Sequence, residues 1–385
     1  MNNKVVAIII EGHVQGLANA RALGEEGIPV CILDTGNCIA RYSKYCKKYF
    51  RCPDYKSGQL VQFLKALAKK ENLEGWILIP SNDHAVYTIS RSKQEINKYY
   101  KTIVPDYKDL INIYDKSKLI NIAKESGIPV PRTEYYNNYD NIDSKLQFPV
   151  LIKGKEGLSF YRATGKKAFP ASNKNELKNQ LSIISEYLSL KRIFIQEIIP
   201  AGNNNTISFT AFCIEGEIKT HWIGKKLMEH PLQYGTATLA ESIKNDIVLD
   251  QSRILLHTLK YTGVCEIEYI LDPNDNNYKL IEINPRTWLW VGLAIANRIN
   301  YPMYIYNYLN GKDNVYTNDY KEGIKWINPF TFFVFGLKAI FKRKISIDKM
   351  LKLYSGKKVN ALYHKDDIKP FFAYASLLLK MIRFR

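Results

Sequence analysis

No two of the six cysteines (Cys31, Cys38, Cys46, Cys52, Cys213, Cys265) form a C-x-x-C pair, and none sits with histidines at zinc-ligand spacing. That excludes a disulfide scaffold and a zinc ribbon, and the expectation is reduced thiols in a cytoplasmic protein. The six histidines form no H-E-x-x-H, and G-x-S-x-G is absent, so neither a zincin nor a serine-hydrolase nucleophile is signalled. The opening apolar run ends at Glu11, too short and wrongly flanked for a signal peptide or a membrane span. Acidic residues are scarce, 37 Asp/Glu against 55 Lys/Arg, for a net charge of +18. Lys312 to Arg385 carries 16 Lys/Arg and 6 Asp/Glu, so more than half of the surplus lies in the last fifth of the chain. Neither a zinc finger nor a glycine-rich aromatic strand accompanies it, and no nucleic-acid partner is expected. The turn after the first strand, Glu11-Gly12-His13-Val14-Gln15-Gly16, spaces its glycines G-x-x-x-G, which argues against a dinucleotide-binding dehydrogenase.

What is present is an alternation of strand and helix patterns over a length that allows two or three domains. Lys4 to Ile10, Pro29 to Leu33 and Trp76 to Ile79 read as strands; Leu17 to Glu25, Ser57 to Lys70 and Asp83 to Asn97 read as helices. Together they predict a doubly wound parallel sheet. A helix opening at Asp115 and ending at Glu125 leads into a second α/β lobe: strand Phe148 to Lys153, a loop Gly154 to Gly165, helix Asn175 to Leu188 and strand Ile193 to Glu197. Thr206 to Ile214 and Glu217 to Trp222 flank Glu215-Gly216, a two-residue hairpin signal.

A second hairpin carries the most chemistry. Val264 to Ile270 and the run through Glu282 and Asn284 are strand-like, joined by the turn-rich Asp272 to Asn277. Glu282 and Asn284, two apart, share a face, and pairing about the turn sets Glu268 across from Glu282. Opposed carboxylates repel unless a cation lies between them, and two carboxylates with an amide oxygen suit Mg²⁺. The alternative is an exposed hairpin with solvated acids. His13 and Asp83 lie just beyond predicted strands, where α/β sheets bind ligands, and are candidates for the acceptor substrate or for helix caps.

Four stretches in order, YDKSKL, FPVLIKG, IQEIIPAGNNN with its following strand pair, and YKLIEINPRTW, resemble the ATP-grasp superfamily of carboxylate ligases over roughly Met1 to Gly311. The resemblance is closest to the amino-acid ligase branch that includes D-aspartate ligases. It implies an α/β fold: a doubly wound pre-ATP-grasp domain (1–110), an ATP-grasp domain of two lobes with ATP between them (111–311), and a basic C-terminal helical extension (312–385). By the same resemblance Lys116 and Lys153 contact phosphates, Gln196, Glu197 and Ile199 meet adenine at the hinge, and Asn204 falls near the ribose position. Of Lys225 and Lys226, Lys226 fits the phosphate-facing basic residue better. Glu268, Glu282 and Asn284 hold Mg²⁺ or Mn²⁺, and Arg286 grips a carboxylate or acyl-phosphate oxygen.

The implied activity is an ATP- and Mg²⁺-dependent ligase that activates a small carboxylate as an acyl phosphate and joins it to an amine, the substrates being amino acids or cell-envelope precursors. The alternative is a non-catalytic nucleotide-binding or scaffold protein at a membrane surface. The extension supplies that alternative: Pro329 to Phe341 and Pro370 to Arg385 are aromatic-rich among basic residues, a pattern that lies in an anionic interface at the inner face of the membrane or packs as two helices on the body.

Overall fold

A computed structural model describes residues 5–135, 147–200, 206–230 and 235–383, with side chains to 378; Asn204 lies outside the described residues. The first strand, Ala7–Ile10 (β1), is fully buried, as expected of a parallel strand covered on both faces. With Val30–Asp34 (β2), Cys46–Arg51 (β3), Trp76–Pro80 (β4) and Tyr100–Lys101 (β5) it forms a five-stranded parallel sheet ordered β3-β2-β1-β4-β5. Helices Val14–Glu25 (α1), Gln59–Glu71 (α2), Asp83–Arg91 (α3) and Lys93–Ile96 (α4) connect the strands. The strand order reverses between β1 and β4, and ligands of open α/β sheets sit in the crevice at such a switch point. Glu11 and Ser81 follow those two strands directly.

Tyr107–Tyr114 (α5) and Lys116–Glu125 (α6) lead into a small antiparallel sheet. Its strands are Thr133–Tyr135 (β6), Val150–Gly154 (β7), Phe169–Ala171 (β8) and Ile193–Glu197 (β9), in the order β6-β9-β7-β8. The segment Gly154 to Gly165, expected as a loop, instead contains helix Gly157–Thr164 (α7). Only Phe160 of that helix is buried, so the sequence has no apolar stripe to betray it. Phe160 lies so close over Gly154 that a Cβ there would come within 2.2 Å of it, and Gly165 closes the helix at φ 71°, a left-handed conformation that favours glycine. Helix Lys174–Ser185 (α8) covers the same core through Leu177, Leu181 and Ile184.

Thr206–Ile214 (β10) and Glu217–His230 (β11) form the expected hairpin, with Glu215 and Gly216 both at positive φ, as a two-residue primed turn requires. Thr236–Ser242 (β12), Gly263–Asp272 (β13) and Asn277–Asn284 (β14) extend the sheet, and Asp246–Thr258 (α9) packs on it. After Val291–Ala296 (α10) and Tyr301–Leu309 (α11), Lys325–Ile327 (β15) and Lys358–Asn360 (β16) complete seven strands ordered β14-β13-β10-β11-β12-β15-β16.

The C-terminal extension therefore contributes two strands as well as helices Pro329–Phe341 (α12), Ile347–Tyr354 (α13) and Lys369–Arg383 (α14). It is tied to the N-terminal sheet by Asp367, which accepts from Arg21 Nε at 2.9 Å, Ser43 Oγ at 2.7 Å and the Lys44 amide at 2.8 Å. Arg21 and Asp367 are both buried, so removing either would leave the other's charge uncompensated, a change that costs about 3–5 kcal/mol. Trp222, Trp288 and Trp290 pack ring against ring with centroids 5.4–6.3 Å apart, fixing the loop that follows β14. Each such pair contributes about 0.5–1.5 kcal/mol beyond the area it buries.

Candidate active site

The β13–β14 hairpin supplies the centre. Its register sets Glu268 directly opposite Glu282 and Glu266 opposite Asn284. The carboxylates meet cations from elsewhere in the chain: Lys116 Nζ donates to Glu282 at 3.1 Å and Lys226 Nζ donates to Glu268 at 2.9 Å. Lys116 is aimed by helix α6, whose first turn is capped by Asp115 accepting from the Ser117 amide at 2.9 Å. Lys116 depresses the Glu282 carboxyl to about 2, with Lys226 and Lys153 adding to it against the opposing effect of burial. Burial alone would lower the Lys226 pKa, but Glu268, Glu266 and Glu229 together raise it, so that ammonium stays charged. Lys225 faces Glu241 instead, 4.0 Å away.

Lys153, next to the last residue of β7, donates to Gln196 Oε1 at 2.8 Å. Burial, then repulsion from Lys116, lowers it to about 7, with Glu282 opposing. Three lysines thus converge on one carboxylate from the small sheet, the α6 start and β11, an arrangement that can neutralise a polyanion. Gln196 is buried and also donates from its amide to Thr133 Oγ1 at 3.0 Å, so its side chain positions Lys153 rather than facing outward. Glu197 accepts from the Arg132 amide at 2.7 Å and from Lys279 at 3.3 Å, and its own amide donates to the Arg132 carbonyl at 2.9 Å, so the end of β9 is held on both sides. Ile199 is buried with Ile270, and the partly buried Ile281 packs against them.

Arg286 and Asp83, two separately expected site residues, engage each other. The Arg286 guanidinium donates through Nε and Nη2 to both Asp83 oxygens, each at 2.9 Å. The pair ties the loop after β14 to the start of α3 and borders the switch-point crevice of the N-terminal sheet. His13 opens onto that crevice, its ring centroid 6.4 Å from that of Tyr374 in α14. The surrounding protein lowers its pKa, with Gln15 and Asp34 opposing.

The sequence reading overlooked Glu11, Asp34 and Glu266. Glu11 occupies φ 75°, strained for a residue with a side chain, and accepts from Gln15 at 2.6 Å. Burial, with Asp34 and Asp83 adding, raises it to about 8 against the pull of Arg286. Glu266 is buried, accepts from Ser208 at 2.8 Å and Asn284 at 3.1 Å, and is raised to about 7 by burial and by Glu268. Its alternation with Glu268 in GVCEIEYI put both on one face, a signal available in the sequence.

Among the described residues no three of His, Cys, Asp and Glu converge as a metal group. Glu268, Glu282 and the Asn284 amide nevertheless form a hard-donor set on two adjacent strands, and lysine ammonium groups already occupy cation positions against both carboxylates. That set fits a divalent ion that binds together with phosphate.

Residues 115–303 match the family described as carbamoyl-phosphate synthase L chain, ATP binding domain. A D-aspartate ligase from Enterococcus faecium (strain Aus0004) is 24% identical over 302 residues, spanning 74% of this chain and 72% of that ligase. Among solved structures, an L-amino acid ligase from Bacillus licheniformis is similar with a TM-score of 0.60 at 14% identity, over 80% of this chain and 75% of that one. The biotin carboxylase domain of Hydrogenobacter thermophilus 2-oxoglutarate carboxylase, solved with MgADP, ADP and bicarbonate, gives 0.63 at 15% identity, over 83% and 73%.

Proposed function

We propose that this chain, an ATP-grasp protein by its fold and its matched ATP-binding domain, is a carboxylate-amine ligase that takes an amino acid as one substrate. The observation that carries the reading is the pair of opposed carboxylates, Glu268 and Glu282, ringed by Lys116, Lys153 and Lys226 between the small and large sheets. A carboxylate is a poor electrophile, and phosphorylation supplies a leaving group. The substrate carboxylate oxygen attacks the γ-phosphorus, the bond to the β-phosphate oxygen breaks, and ADP leaves as the acyl phosphate forms. The amine nitrogen then attacks the acyl carbon, phosphate departs, and the nitrogen loses its proton as the amide forms.

Within this scheme the lysines offset the charge that develops on the transferring phosphoryl group. Glu268, Glu282 and Asn284 would hold Mg²⁺, which when bound polarises phosphate oxygens. Asp83 holds Arg286 in one orientation beside the crevice, where the guanidinium meets the carboxylate or acyl-phosphate oxygens. Glu11, Asp34 and His13 line the acceptor side. The D-aspartate ligase and L-amino acid ligase similarities support an amino-acid substrate. The test is ADP release by the full chain with Mg²⁺ across a panel of amino acids and envelope-precursor carboxylates. Release that depends on a carboxylate and an amine together supports the reading; release independent of every pair contradicts it.

Lys153 gives this reading a pH signature. Its charge is present below about pH 7 and lost above it in the free protein. A bound polyphosphate favours the charged form, so ATP binding above pH 7 is expected to take up a proton, and the affinity to weaken as pH rises further. Calorimetry in buffers of different ionisation enthalpy reads that proton directly. Lys153→Ala is expected to abolish the uptake and weaken ATP binding by about tenfold or more; unchanged uptake and affinity in the variant would remove Lys153 from the phosphate site.

A further inference from the structure

Helix α12 leaves one face uncovered. Phe332, Gly336 and Ala339 pack with Leu227 and Met228 of β11, Leu239 of β12, Ile327 of β15 and Met350 of α13. Phe330 also packs on Phe371 and Tyr374 of α14 and Phe335 on His230, but the outer face is apolar and meets solvent: Val334 is 54% exposed, Leu337 52% and Phe341 85%. Across the turn, Ile347 and Leu351 of α13 are each 62% exposed. A monomeric surface rarely leaves so many large apolar side chains together on two consecutive helices without a partner.

The charge around them identifies the partner. From Pro329 to Lys358 there are eight Lys/Arg and a single acid, Asp348. Three of the bases, Lys342, Arg343 and Lys344, form the turn itself, directly between Phe341 and Ile347, and all three are exposed. Arg343 takes φ 54°, which folds the chain back on itself and leaves the most exposed aromatic and three cations at one tip. A second copy of this chain would set that strongly basic segment against itself. Neither helix is long enough to cross a bilayer, and among the described residues no helix qualifies as a membrane span. Apolar side chains flanked by cations are the composition that enters the headgroup boundary of an anionic bilayer.

We propose that the α12–α13 hairpin docks this protein on an anionic membrane surface, with Phe341, Ile347 and Leu351 entering the headgroup region and Lys342, Arg343 and Lys344 on lipid phosphates. The proposal does not depend on ligase activity. Because α12 packs on β11, the strand that carries Lys226, docking would hold the active-site cleft close to the bilayer.

Flotation of the full chain with phosphatidylcholine vesicles, with and without phosphatidylglycerol, tests it at low and high salt. Binding is expected only with phosphatidylglycerol, and it must weaken as salt rises. Phe341→Ser is expected to lower the vesicle partition coefficient about tenfold. Replacing Lys342, Arg343 and Lys344 by Gln is expected to lower it about a hundredfold, near fivefold per charge. All of these side chains are exposed, so the variants should melt at the parental temperature. No binding at low salt, equal binding to neutral vesicles, or parental binding by both variants overturns the proposal. So does sedimentation showing that Phe341→Ser dissociates an oligomer, which would make this face a self-contact.

Discussion

Glu282→Gln is expected to lower ATP-dependent ligation by about a thousandfold, because the variant loses a charged ligand of the proposed metal site, a change worth several kcal/mol of transition-state stabilisation. Glu282 stands at the focus of the site: it faces Glu268 across the hairpin and draws Lys116 to 3.1 Å, with Lys226 and Lys153 close enough to depress its pKa. Gln preserves the volume and one acceptor oxygen, so the strand pairing and the buried core beneath it should remain. Steady-state turnover with the best substrate pair, run beside a thermal melt, separates chemistry from folding. Glu268→Gln should behave alike, since both acids belong to the proposed metal site. Parental turnover in a folded Glu282→Gln variant would remove this hairpin from the metal site.

The second large effect is expected at the Asp83–Arg286 pair. Both oxygens of Asp83 accept from one guanidinium, and Arg286 has little exposure, so its orientation is set by this contact. Asp83→Asn removes the charge and one acceptor, leaving Arg286 free to swing toward Asn284 and Glu266. Misplacing such a group by about 1 Å costs roughly a hundredfold in rate. Arg286→Lys should cost at least as much, because an ammonium cannot reproduce the two-pronged contact. In both variants kcat should fall while the KM for ATP stays near parental, since the proposed phosphate contacts are the three lysines rather than Arg286. A rise in the KM for ATP with unchanged kcat would instead place the pair at the nucleotide.

The hairpin was legible in the sequence because its geometry is local. A turn centred between Asp272 and Asn277 brings Glu268 to within one residue of Glu282, and a β-bulge between Glu268 and Tyr269 completes the pairing. Strands β1, β2 and β4 and the Glu215-Gly216 turn were legible for the same reason, whereas β3 was not expected. The Asp83–Arg286 contact spans 203 positions, and no local pattern announces a pairing between a helix start and a loop in different sheets. Strands β15 and β16 were hidden by length: three residues each cannot show alternation, and both sit in a segment whose aromatic helices dominate the pattern. Helix α7 was hidden because the small lobe buries only Phe160 from it. Glu11 escaped notice because its backbone strain and its burial exist only once β1, β2 and β4 are assembled side by side.

The central claim is that a substrate carboxylate is activated by direct phosphorylation. The most direct measurement uses the pair identified by the ADP-release screen, with the carboxylate oxygens labelled with heavy oxygen, and follows the label by mass spectrometry of the released phosphate. The account predicts that one labelled oxygen appears in each inorganic phosphate formed with the amide. Amide formation with unlabelled phosphate would contradict it.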